Sequence, residues 1–260
     1  MTEGPRGLGA GLRLLCGLCL VSLYALAAIG CGGKALPPSP GPSLSPADVP
    51  PAWVQHEALW QSLAAGEPHP RVCQWLYTSA ARAAFLGGRA TSYLRSFTRL
   101  IDRAYVVVLH GHFKPIQGEA GSARTLYLVL TPQYHNYVAR GFAAASIDLA
   151  RLGAIHTYVP QLPIRAGVWG HTMFEGGAAP GGPVRLSRVV VAVWAGATVP
   201  SAGQPLRRVR SDSDGFFALQ LSPGIYTFQL DATGHGERML DTVVVEAGTP
   251  VAAGVYGEGM

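Results

Sequence analysis

The sequence predicts an α+β protein in two folded parts, a small domain of helix plus antiparallel sheet at 52–163 followed by an all-β sandwich domain at 165–257. Three observations carry that expectation. Apolar residues recur at near-helical spacing between Ala52 and Ala65, and β-branched and aromatic runs begin at Tyr105. From Ala166 onward, short β runs alternate with Gly and Pro and no helical period remains. The chain of 260 residues holds 33 Gly and 20 Pro, about a fifth of its length, without a G-X-Y period, so collagen is excluded and many turns are expected. Hydrophobic residues at 48% exclude disorder over the whole length.

The elements follow in order. Residues 1–13 carry Arg6 and Arg13 against Glu3, and 14–29 then run apolar, a positive segment followed by a hydrophobic one. That run is shorter than the roughly 20 residues a spanning helix needs. It closes with Ala28-Ile29-Gly30-Cys31, followed by Gly32 and Gly33. These residues resemble the bacterial lipobox, although Ala28 stands where that motif usually carries Leu. The resemblance implies that 1–31 is a lipoprotein signal peptide, that the Cys31 thiol is diacylated, and that the protein is held on the membrane at its extracytoplasmic face. An ordinary secretory signal cleaved near Gly30 and an uncleaved signal anchor are the alternatives, and all three place the remainder outside the cytoplasm. Cys16 and Cys19 lie in the apolar run, so their C-x-x-C spacing is not read as a redox or zinc site. Cys73 is then left without an internal partner and is expected as a buried, inert thiol.

Residues 32–51 form a linker with prolines at 37, 38, 40, 42, 46, 50 and 51, which favours extended polyproline II and acts as a semi-rigid spacer. The stretch 52–65 is expected as a helix, from Trp53, Leu59, Trp60 and Leu63 and the stop at Gly66. A second helix is expected at 71–86, from Val72, Trp75, Leu76 and the Ala-rich run before Gly87-Gly88, while 92–103 is ambiguous with a helical spacing. Strands are expected at 105–113 and 125–131, a turn at 132–135, a returning strand at 136–142, and a helix start at 146–149. Seven strands are then expected at 167–174, 188–194, 207–210, 216–221, 226–232, 239–246 and 251–256.

Two turns sharpen the second part. Ser211-Asp212-Ser213-Asp214-Gly215-Phe216-Phe217 combines Asp side chains that bond the backbone with a Gly that supplies positive φ, and Leu221-Ser222-Pro223-Gly224-Ile225-Tyr226 repeats the pattern with Pro-Gly. With VVVAVWA and the closing VVVEAGTPV, these look like the carboxypeptidase regulatory-like β-sandwich, a transthyretin-like module, over about 165–257. The resemblance implies a non-catalytic spacer, adhesive unit or binding domain. The catalytic Tyr-Arg-Gly-Ser tetrapeptide of the transthyretin-like ureide hydrolases has no counterpart in Val255-Tyr256-Gly257-Glu258-Gly259-Met260. The D-x-D-G turn also matches half of a calcium loop, but Phe216 and Phe217 stand where further oxygen ligands are needed.

Histidines carry the enzymatic alternative. His110 and His112 lie two apart on an expected strand, so both point to one face, and His135, Asp148 and His156 could join them as hydrolytic or metal ligands. No H-E-x-x-H or second close His pair accompanies them. The competing expectation puts both histidines on the solvent side, with Gly111 on the packed side where another group comes close. Basic residues are scattered; Arg207, Arg208 and Arg210 are too few for a nucleic-acid stripe and are followed at once by Asp212 and Asp214. The sequence therefore points to a lipid-anchored, non-enzymatic binding or structural module of the bacterial cell envelope, with an envelope protein or glycan as ligand, no cofactor, no metal and no nucleic acid. An exported metal-dependent hydrolase is the alternative.

Overall fold

The computed structural model describes residues 49–86, 101–114, 122–133, 135–175, 184–231 and 240–258. The signal segment with Cys31, nearly all of the linker, and the helical spacing at 92–100 lie outside the described residues.

Helix α1 (Ala52–Ala64) follows Pro51, whose carbonyl accepts from Val54 N at 3.0 Å. Its end is set by Gly66 at φ 76°, a left-handed conformation that glycine adopts without strain. The expected second helix is a strand instead, β1 (Val72–Ser79), followed by a one-turn helix α2 (Ala80–Ala83) capped by the Ser79 hydroxyl. The reason is that β1 is buried on both sides. Cys73 and Trp75 enter one core and Leu76 the other, so the alternation that marks a half-exposed strand is missing and Val72, Trp75 and Leu76 mimic a helical stripe.

Strands β2 (Arg103–Phe113), β3 (Ala123–Thr131) and β4 (Asn136–Ala143) form the expected antiparallel meander, and the short β5 (His156–Tyr158) adds to β1. The sheet order is β4-β3-β2-β1-β5. One face packs on α1 through Trp53, Val54 and Ala58, and the other is covered by α2, Leu149 and Leu152. No helix starts at 146–149. Asp148 Oδ1 accepts from Ala150 N at 2.9 Å, an Asx-type turn that diverts the backbone while Leu149 plugs the second core.

Strands β6 (Gly167–Glu175), β7 (Val184–Arg185), β8 (Val190–Ala195), β9 (Arg207–Arg210), β10 (Phe216–Leu219), β11 (Gly224–Asp231), β12 (Leu240–Val245) and β13 (Pro250–Glu258) build the sandwich. Its first sheet runs β10-β6-β13, with β7 also on β6, and its second runs β12-β11-β8-β9. The pairing is antiparallel except between β13 and β6, which run parallel from Pro250↔Gly167 to Glu258↔Glu175. Val168, Val191, Val193, Phe217, Phe228 and Val255 fill the space between the sheets. Gly170 is required there, because a Cβ would lie 2.0 Å from Phe217 Cζ. Among the described residues no ladder joins the helix-covered sheet to the sandwich sheets, and the chain passes from one to the other between Tyr158 and Gly167. Residues 36–260 nonetheless form one unit, fastened through α1.

Candidate functional site

The densest group of chemistry-bearing side chains lies where α1 meets the outer face of the β10-β6-β13 sheet. Thirteen residues of α1 carry one charge, Glu57, and the helix places it where no solvent reaches it. Glu57 Oε1 accepts from Gln61 Nε2 at 2.7 Å, and Gln61 Oε1 accepts from Arg140 Nη1 of β4 at 2.8 Å. On the other side Glu57 Oε2 is ion-paired with the Arg185 guanidinium of β7. Arg185 is itself buried, lies 4.1 Å over the Phe216 ring, and donates from Nε to the His135 carbonyl at 3.1 Å. A continuous polar chain thus runs from the first sheet, through α1, into the sandwich. Burial pushes the Arg185 pKa down to about 9, while Asp212 and Asp214 act in the opposite direction. It remains cationic at neutral pH and faces the Glu57 carboxylate.

Rings surround this chain. Trp60 stacks on His171 at 3.9 Å between centroids and donates from Nε1 to the Ala253 carbonyl at 2.9 Å. His171 is fully enclosed, and burial alone drives its pKa down to about 3, so the imidazole is neutral. Its Nε2 lies 3.4 Å from the Tyr256 hydroxyl, and a Cβ at Gly254 would come within 3.0 Å of that nitrogen. Leu63, Trp169 and Phe216 form a small apolar core beside it, joined by Trp60, Leu162, Ile164 and Ala252.

The D-x-D-G turn forms the rim. Asp212 Oδ1 accepts from Asp214 N and Phe216 N at 2.8 and 2.9 Å, and Gly215 has φ 79°. The turn's carboxylates meet histidines of the first part: Asp214 Oδ1 is 3.1 Å from His135 Nδ1, and Asp212 Oδ2 is 3.6 Å from His56 Nδ1. Burial lowers the His56 pKa, with Asp212 and Asp214 pulling it upward. His135 also stacks on Trp53 at 4.6 Å, a position set by its left-handed backbone at φ 47°.

The histidines singled out by sequence are dispersed over separate contacts. His110 and His112 stand at a bulge near the end of β2, half-buried and exposed respectively. The close approach at Gly111 comes from Glu67, whose Cγ would lie 2.7 Å from a Cβ there, and Glu67 Oε2 accepts from His112 N at 2.7 Å. His156 stacks on Trp75, and Asp148 serves its own turn. Among the described residues no group of three or more His, Cys, Asp or Glu side chains is placed to hold a metal ion. Cys73 is buried on β1, not on a helix, and burial pushes its thiol up to about 12. Sequence reasoning missed Glu57, Gln61, Arg140, Arg185 and His171. The available signal was α1 itself, a helix whose polar residues and aromatics alternate around its whole circumference and leave no charged solvent face.

Geometrically the site is a joint: the neutral His171 imidazole between rings, one enclosed ion pair, and a turn whose carboxylates reach across. No family model matches the chain, and no curated protein matches it either. Among solved structures the chain is distantly similar to the Bacillus anthracis TIE protein, at 15% identity and a TM-score of 0.26 over 61% of this chain and 25% of that one. It is also distantly similar to the streptococcal ancillary pilin, at 12% identity and a TM-score of 0.28 over 77% of this chain. The chain spans a quarter of the length of the first and 66% of the second.

Proposed function

We propose that the chain is an extracytoplasmic structural or binding module of the bacterial cell envelope, held to the membrane by acyl chains on Cys31 and presenting a sandwich of the carboxypeptidase regulatory-like kind. The observation that carries the structural part is the joint at α1. An enclosed ion pair and stacked rings spend the chemistry of this region on fastening two β-rich parts into one body. The leader at 1–31 and the proline spacer at 32–51 supply the reason for an anchor and for distance from it. Acyl chains contribute about 0.8 kcal/mol per buried CH₂, so two or three hold the chain on the membrane where a single one would not.

The test is Cys31→Ser in the bacterial host, read by lipid labelling, intact mass and fractionation. Loss of labelling, with the precursor left uncut or released as soluble protein, supports the reading. Unchanged mass and unchanged membrane retention would refute it in favour of a signal anchor.

A further inference from the structure

Near the N-terminal end of α1, the sheet face that the helix packs on carries tyrosines in place of aliphatic side chains. Alternation along β1 directs Cys73, Trp75 and Tyr77 to this face, and along β2 it directs Tyr105, Val107 and Leu109 there. Cys73 and Trp75 are enclosed, whereas Tyr77 and its register partner Tyr105 are both half-buried. Side chains directly opposite on antiparallel neighbours start from Cβ atoms about 4.5–5.5 Å apart, so the backbone holds these rings side by side. Their centroids are 4.6 Å apart with a tilt of 36°. Tyr105 is further bounded by Trp53 of α1 at 5.5 Å and by Trp75 at 6.1 Å, and the Arg103 guanidinium stands over the Tyr77 ring at 5.4 Å. Burial, and the Tyr77 phenol beside it, raise the Tyr105 pKa above its ordinary value, so Tyr105 keeps its proton at neutral pH. Other tyrosines are engaged differently: the Tyr226 hydroxyl donates to the Ser222 carbonyl at 3.0 Å, and the Tyr256 hydroxyl lies against His171.

We propose that Tyr77 and Tyr105 form an oxidative cross-linking site, at which hydrogen peroxide and a haem peroxidase join the two rings as dityrosine and staple β1 to β2. The enzyme withdraws its two oxidising equivalents one electron at a time. Each phenol loses one electron and gives its proton to the solvent that it half meets, and the two phenoxyl radicals bond through ring carbons ortho to the hydroxyls. The hydrogens on those carbons move as protons to the oxygens and restore both phenols. One peroxide and two tyrosines thus become one dityrosine and two waters. At neutral pH a phenoxyl radical lies lower in energy than an indole radical, so a hole on Trp53 or Trp75 is filled from Tyr105 and ends at the same pair. The two residues are 28 positions apart in the chain, and the new bond closes the excursion that carries α2. A cross-link made in the native geometry removes that loop's freedom from the unfolded chain and adds no strain to the folded one. The inference goes beyond the function proposed above and does not depend on acylation of Cys31.

The experiment treats the full chain, at high dilution, with hydrogen peroxide and a haem peroxidase, and reads the monomer by dityrosine fluorescence, intact mass and peptide mapping. The expected product is a monomer lighter by two hydrogens, whose digest contains one branched peptide joining Tyr77 to Tyr105. Tyr77→Phe and Tyr105→Phe each keep the ring and its packing but lack the phenol, and each abolishes that product, whereas Tyr137→Phe leaves it unchanged. The cross-linked monomer unfolds in urea with an equilibrium constant lowered by at least about a hundredfold, the effect of closing a loop of this length. Three results overturn the proposal: oxygen added to the monomer without loss of two hydrogens, dityrosine found only in chains joined to one another, or a monomeric product that survives Tyr77→Phe. A cross-linked monomer with an unchanged urea midpoint refutes the staple.

Discussion

Glu57→Gln changes one oxygen to an amide in the middle of the joint and leaves every backbone contact in place. Its magnitude follows from the surroundings. The Arg185 guanidinium is 5% exposed and loses the carboxylate that faces it, while retaining Nε to the His135 carbonyl and its position over Phe216. Breaking an enclosed pair on one side costs about 3 kcal/mol, because the remaining charge is left without compensation. For a unit spanning 36–260 this lowers Tm by about 6–12 °C. Denaturant unfolding followed by tryptophan fluorescence and far-UV circular dichroism measures it, with coincident curves confirming a single transition. The double change Glu57→Leu/Arg185→Met removes both charges and recovers at least about half of the loss, since apolar replacement of both partners is often near neutral. A Glu57→Gln effect below about 1 kcal/mol, the size of a solvent-exposed pair, would refute the account of the joint. So would a double variant as unstable as the sum of its single changes.

Acid stability should depend on His171. Its folded pKa of about 3 lies below the ordinary 6.5, so the unfolded chain binds the extra proton and stability falls as pH drops from about 6 toward 3, by up to about 1.4 kcal/mol per pH unit. His171→Phe keeps a ring against Trp60 and should flatten that slope in urea titrations between pH 3 and 7; an unchanged slope would place the lost protons elsewhere. Cys73 should resist alkylation in the folded protein at pH 8 and react fully once unfolded, as read by peptide mass, because burial raises its pKa to about 12 and withholds both thiolate and access. Rapid modification of the native chain would contradict its position in the core.

Much of this architecture is legible from sequence where one face of an element is wet. The meander from β2 to β4 and the seven anticipated strands of the sandwich follow from β-branched runs and turn chemistry, and α1 from its aromatic spacing. The two-residue β7 carries no such run, yet it brings Arg185 to the joint. The misreading of β1 has the same root as the invisibility of Glu57. Both elements are enclosed on two sides, so neither shows the polar stripe that periodicity relies on. Glu57 and Gln61 stand among aromatics on a helix with no polar stripe, so nothing in its pattern marks them as partners of buried groups. Their partners Arg140 and Arg185 lie far away in the chain, on strands whose own patterns say nothing about a guanidinium turned inward.

The bond from Trp60 Nε1 to the Ala253 carbonyl closes a loop of 193 residues, and this sets the order in which the molecule is completed. Helix α1 emerges early from the ribosome, but one of the surfaces that receives it includes β13, the last strand of the sandwich. Until that strand has been made and laid alongside β6, Trp60 has no acceptor. Contacts of such long range form slowly, because most of the chain entropy must be given up before they return anything. Among the described residues, the first helix in the chain is therefore among the last elements to have all its contacts in place.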